Sequence, residues 1–205
     1  MGNDCVLYTT LSDIAGIQAE GWTIGGAPTV EVNPFSRGMR FDGTNDWIII
    51  PDSYELRFDS GAQDFSLVAM VMLPDASGSH LVFDKRDADD DGWRLIVSAN
   101  QALGSINAID VASAAGAVAN NTWTLIGFSV DRSGDGQIYI NGLASGAAVA
   151  IGGAAMATTS NIYIGRRSYA NADAFAGDID SGIIFDRILS AAEHLNIYNQ
   201  YIGAA

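Results

Sequence analysis

The sequence holds 205 residues with 24 acidic and 10 basic side chains, a formal net charge of −14, and a single lysine, Lys85. This balance argues against a nucleic-acid partner, because phosphate binding needs clustered Lys and Arg. The lone cysteine, Cys5, excludes a disulfide within the chain.

The opening stretch MGNDCVLYTT lacks the basic start and apolar core of a secretion signal. The least charged run, GLASGAAVAIGGAAMATTS, is too short and too rich in Gly and Ala to insert into a membrane. Residues 1–34 read as an N-terminal segment, a docking arm or an edge strand, with a short helix in TLSDIAGIQAE. In that arm, Val6, Leu7, Ile14 and Ile17 are expected to lie against a neighbour or the sandwich rather than in water. From residue 35 to 205, short apolar runs alternate with turn residues at the roughly 8–12-residue spacing of sandwiches and jelly rolls. The predicted strands are DWIII, FSLVAMVML, HLVFDK, WRLIVSA, GSINAID, TWTLIGFSVD, GQIYING, NIYIG and DIDSGIIFD. No βαβ alternation occurs among them, so the expected fold is all-β: an antiparallel two-sheet jelly-roll sandwich with a short C-terminal α-helix. Trp47, Trp93 and Trp123 sit within strand runs and are expected in the core.

Two acidic stretches look like calcium loops. In DKRDADDDGWRL, Asp87, Asp89 and Asp91 precede Gly92 with EF-hand spacing, but the twelfth position is Ser98 where a bidentate Glu belongs. DRSGDGQIYIN repeats the spacing, again without the Glu. The flanks suit strands rather than helices, so both read as hairpin tips. The helix is LSAAEHLNIYNQYI, where Ser190 and Glu193 form a Ser-x-x-Glu capping box behind Leu189. Its spacing predicts that Leu195, Tyr198 and Ile202 face the sandwich and that His194 stays at the surface.

GMRFDGTNDWIIIPDS, FSLVAMVML, LVFDKRDADDDGWRL, NNTWTLIGFSVDRSGDGQIYINGLA, NIYIGRRS and the closing FAGDIDSGIIFDRILSAAEHLNIYNQY together resemble the laminin G-like members of the concanavalin A-like lectin and glucanase superfamily. Met70 and Thr124 depart from its pattern, at places where Trp and His are usual. The resemblance implies a curved two-sheet jelly roll and, in many relatives, one structural calcium ion. Carried onto this chain, the calcium ligands would be Asp46, Asn45 and the Gly43 carbonyl from DGTND, with Asp180 from GDID. The alternative is that Asn45 and Asp46 cap a turn and Asp180 ends a strand.

Enzymatic relatives hydrolyse glycans with a Glu-x-Asp-x-Glu strand, and none of Glu20, Glu31, Glu55 and Glu193 lies at that spacing from another. Asp178 and Asp180 are the remaining carboxylate pair, with no apolar pocket evident to raise either pKa. The chain therefore reads as non-catalytic. For ligand binding the notable loop is RRSYANADAF, with Arg166, Arg167, Tyr169, Asn171 and Asp173 between two strands, fit to contact a glycan or a protein, or merely solvated. The functional expectation is a recognition or structural module on the outside of a larger assembly, such as a bacteriophage decoration, tail or fibre protein. Its partners would be other protein subunits and surface glycans. The alternative is a free extracellular lectin-like domain.

Overall fold

The structure, a computed structural model, describes residues 5–58, 63–152, 156 and 158–203. In chain order its elements are β1 (Cys5–Thr10), α1 (Ile14–Ala19), β2 (Thr23–Gly25), β3 (Thr29–Val32), β4 (Arg37–Asp42), β5 (Trp47–Ile50), β6 (Phe65–Met72) and β7 (Ser79–Arg86). There follow β8 (Gly92–Ser98), β9 (Gln101–Ile106), β10 (Ile109–Ala112), β11 (Thr124–Val130), β12 (Asp135–Ile140), β13 (Leu143–Ala144), β14 (Val149–Ala150), β15 (Ile162–Ile164), β16 (Ala176–Phe185) and α2 (Ala191–Ile202).

The strands form two sheets, and every pairing between them is antiparallel. One has nine strands in the order β13-β12-β11-β6-β16-β4-β3, with β1 added on β16 and β14 on β12. The other has seven, in the order β10-β9-β8-β7-β15-β5-β2. The sandwich core lies between them, built from residues such as Met39, Phe65, Phe83, Trp93, Phe128 and Ile184. The jelly-roll reading of the sequence holds.

Residues 5–34 supply β1, β2 and β3 of these same sheets, with α1 between β1 and β2, and β2 and β3 lie at sheet edges as the edge-strand reading expects. Val6, Leu7 and Ile14 pack against the core and Ile17 is buried in it. GSINAID is not one strand: it turns at Asn107, whose φ of 52° is left-handed, and joins β9 to β10 as a hairpin.

The nine-stranded sheet is apolar on both faces at its centre. Along β6, Phe65, Leu67, Ala69 and Val71 point into the sandwich, while Val68 and Met70 point outward with Leu125, Ile183 and Phe185. Burial on both faces explains why FSLVAMVML is an unbroken apolar run. The cover for the outer face is α2. Its Ser190–Glu193 capping box is formed as the sequence predicts, and Leu189 before it is buried.

The helix is rotated from its expected phase. Leu195 and Ile202 are exposed, and the face on the sheet is His194, Ile197, Tyr198 and Tyr201. His194 is fully buried: its Nε2 pairs with Ser129 Oγ at 2.8 Å and its ring stacks on Tyr139 at 3.9 Å between centroids. A Cβ at position 127 would sit 2.6 Å from the imidazole Cε1, so Gly127 gives the ring its berth. Burial, opposed only in part by Glu193, pushes the His194 pKa down to about 4. The neutral ring is the folded form. Stability is therefore complete above the ordinary histidine range and falls as pH drops from about 6.5 toward about 4, by an amount on the order of 3 kcal/mol. Urea unfolding across that window should show this slope in the native chain and lose it in His194→Gln; an unchanged slope in the variant would contradict the assignment.

Candidate functional site

The loop predicted to bind ligands folds onto the acidic tip between β7 and β8, and the two satisfy each other. Arg86, 2% exposed, donates from Nε to Asp84 Oδ1 at 2.6 Å and from Nη1 to Asp90 Oδ1 at 2.7 Å. Asp84 Oδ2 accepts the Ser168 amide at 2.7 Å and the Ser168 hydroxyl at 3.0 Å. Tyr169 donates its hydroxyl to Asp90 at 2.7 Å and accepts from Arg167 Nη1 at 2.8 Å; Arg167 Nε reaches Asp173 at 2.9 Å. The Tyr169 bond holds the Asp90 carboxyl below its usual pKa, while burial and that same bond raise the phenol.

Within the tip, Asp87 Oδ1 accepts the amides of Asp89 at 3.0 Å and Asp91 at 3.1 Å, which is turn chemistry rather than ion binding. Arg167, Tyr169 and Asp173 are thus braces. Arg166 stands apart, stacked over the rings of Trp47 at 4.6 Å and Tyr163 at 5.2 Å, and Asn171 is exposed. Trp93 is buried in the core as expected, whereas Trp47 and Trp123 are half-buried: the one packs under Arg166, the other edge-on to Phe35.

The implied calcium ligands are not gathered. Gly43, Asn45 and Asp46 share the turn between β4 and β5, where Asp46 accepts the Ala27 amide on Oδ1 at 2.7 Å and the Asp42 amide on Oδ2 at 2.9 Å. Asp180 lies on β16 with different partners, Asn33 Nδ2 at 2.7 Å and Ser36 Oγ at 3.0 Å, both on Oδ1. Among the described residues no three His, Cys, Asp or Glu side chains converge as a metal site. Strand register keeps the two carboxylates at separate places, since the Asp46 turn is tied to Asp42, which pairs with Ala176, while Asp180 lies further along β16.

Asp180 instead lines a cleft of about 500 Å³ between α2, the outer face of β16 and the turn that holds Phe35. A register shift against β6 places it there: Ile179 pairs with Val71 and Ser181 with Met70, leaving Asp180 as the extra residue of a bulge. Bulges re-aim side chains. Tyr8, Phe35, Phe185 and Tyr201 give the cleft aromatic walls, and Gln200 adds a polar amide. Phe35 meets Tyr201 edge-on at 5.7 Å, and the Tyr201 hydroxyl bonds Ser181. Burial pushes Tyr201 up to about 12, with the charge of Asp180 adding to it.

No glycosidase pair is assembled in this cleft. Asp178 is ion-paired with Arg40 at 2.9 Å. Glu193, also on the wall, is held at about 2 by Arg187 and Ser190, the wrong direction for a general acid. Sequence reasoning named Asp180 but missed its aromatic neighbours. Tyr8 and Phe35 lie far from it in the chain, and Tyr201 lay on the helix face assigned one position out of phase.

The sequence signature of the concanavalin A-like lectin/glucanases superfamily matches residues 42–193. The chain belongs to this superfamily. No curated protein matches it in sequence. Among solved structures, the binding domain of paraclostridial mosquitocidal protein 1 superposes with a TM-score of 0.78 at 17% identity, over 97% of this chain and 52% of that one. The binding domain of botulinum neurotoxin DC, solved in complex with rat synaptotagmin II, gives 0.71 at 14% identity over 97% and 52%. A botulinum neurotoxin type C structure, described by the dependence of cell entry on two ganglioside molecules, gives 0.71 at 13% over 97% and 51%. The superfamily member thus spans about half the length of each of these chains, and at such identities the likeness is one of fold.

The brace between loop and tip makes a stability prediction. Arg86→Met leaves Asp84 buried without its cation and should cost about 3–5 kcal/mol in chemical unfolding, much of it restored by adding Asp84→Asn. Strict additivity of the two changes would show that the residues are not coupled.

Proposed function

We propose that the chain is a non-catalytic glycan-recognition module and that the cleft beneath α2 is its binding site. The observation that carries this reading is the cleft itself, a concave site with aromatic walls and a few converging polar groups, the form that saccharide binding requires. Membership of a lectin and glucanase superfamily supports it, as does likeness in fold to binding domains, one from a toxin described as engaging gangliosides. The absence of a Glu-x-Asp-x-Glu strand and the depressed pKa of Glu193 favour binding over hydrolysis.

The finer reading is that the module is carried by other protein subunits on the exterior of a larger assembly such as a virion. Two facts support it: its structural neighbours are parts of longer chains, and a single lysine among many small residues suits a compact exterior protein. Co-sedimentation with a particle, as against a free monomer, tests this part.

On an oligosaccharide array the protein should retain at least one class of glycan without releasing reducing ends. Tyr201→Ala should weaken that retention about tenfold or more, the loss of one stacked ring and its hydroxyl. Undiminished retention by the variant would place binding elsewhere, and turnover of the glycan would overturn the non-catalytic reading.

A further inference from the structure

The buried charges of this protein mostly have a counter-charge close by. Asp84 has Arg86, Lys85 has Asp52, and Asp178 has Arg40. Asp180, two residues along the same strand as Asp178 and 2% exposed, has none among the described residues. Its two hydrogen bonds come from the neutral donors Asn33 and Ser36, and both fall on Oδ1. The cation on the cleft wall, Arg187, is paired with Glu193 at 2.8 Å, and that pair adds no net charge. A desolvated carboxylate without a cation is costly, and a ligand cation removes the cost.

The walls point the same way. Tyr8, Phe35, Phe185 and Tyr201 surround the space in front of Asp180, and ring faces attract cations as well as sugar faces. Both phenols have raised pKa values, from burial first, with the charge of Asp180 adding to each.

We propose that the cleft selects a saccharide bearing an ammonium group, seated with its nitrogen against Asp180 and its ring against the aromatic wall. The inference rests on the cleft being the glycan site, and it names the class of glycan. A volume of about 500 Å³ accommodates one or two sugar rings.

The test is calorimetric titration with short glucosamine oligomers and with their N-acetylated counterparts, which share ring and linkage, at mildly acidic pH where the free amine is protonated. The amine form should bind about tenfold tighter or more. Asp180→Asn keeps an acceptor for Asn33 and Ser36, and it should abolish the preference while binding of the acetylated form persists. Should that variant fail to fold, Tyr8→Leu, at a position 49% exposed, should weaken the amine form more than the acetylated one. Equal affinity for the two oligomers overturns the ammonium proposal and leaves the cleft as a glycan site. Binding of other array glycans that Tyr201→Ala does not affect overturns the cleft reading, and the proposal with it.

Discussion

The structure depends on covering a sheet that is apolar on both faces. A sandwich buries one face of each sheet and can leave the other to water, but the outer face of the nine-stranded sheet presents Val68, Met70, Leu125, Ile183 and Phe185. Left in water, each such side chain would forfeit about 1.5–3 kcal/mol of burial. The C-terminal helix supplies the cover, and polar contacts fix its position: Ser129 to the His194 ring, Ser66 to the Leu189 amide at 2.9 Å, and Ser181 to Tyr201. One helix does not span the whole face. The cleft is the part of the sheet it leaves between its own edge, Tyr8 and Phe35. The feature that completes the fold thereby makes the concave site.

Charge is arranged by the same economy. The chain carries a net charge of −14, yet the arginine-bearing loop after β15 and the acidic tip after β7 neutralise one another, so neither is a free binding surface. Lys85, the single lysine, is buried against Asp52, which also holds Arg57. These ties hold loops from separate hairpins in fixed relation. Asp180 is set apart from them by a bulge and by hydrogen-bond partners that are both neutral, Asn33 and Ser36. Its difference from Asp178, on the same strand, is what gives the cleft a chemical character distinct from the rest of the acidic surface.

Much of the fold was legible in the sequence because strand runs, turn residues and a capping box are local signals. The acidic tips read correctly as turns because the missing Glu and the strand-like flanks were decisive. The first four strands were not legible, since they are short and interrupted by Gly, Pro and Asn. The phase of the last helix failed for a different reason. Its apolar residues fit two neighbouring faces, and what chooses between them lies on other strands: the Ser129 hydroxyl, the Tyr139 ring and the missing side chain of Gly127. The site was hidden by the same limit. Asp180 faces the cleft only because of a register shift against β6, and Tyr8 shares the cleft wall with Tyr201 only because β1 pairs with β16. No spacing within one segment encodes either fact.

If the uncovered strip of the sheet beside α2 is where this module meets a glycan, backbone amide spectra recorded as an oligosaccharide retained on the array is titrated in will report it residue by residue. Shifts should concentrate at Phe35, Ser36, Asp180 and the Asn196–Tyr201 stretch of the helix. Shifts confined to the 166–173 loop and the tip between β7 and β8, with the helix edge unmoved, would contradict it.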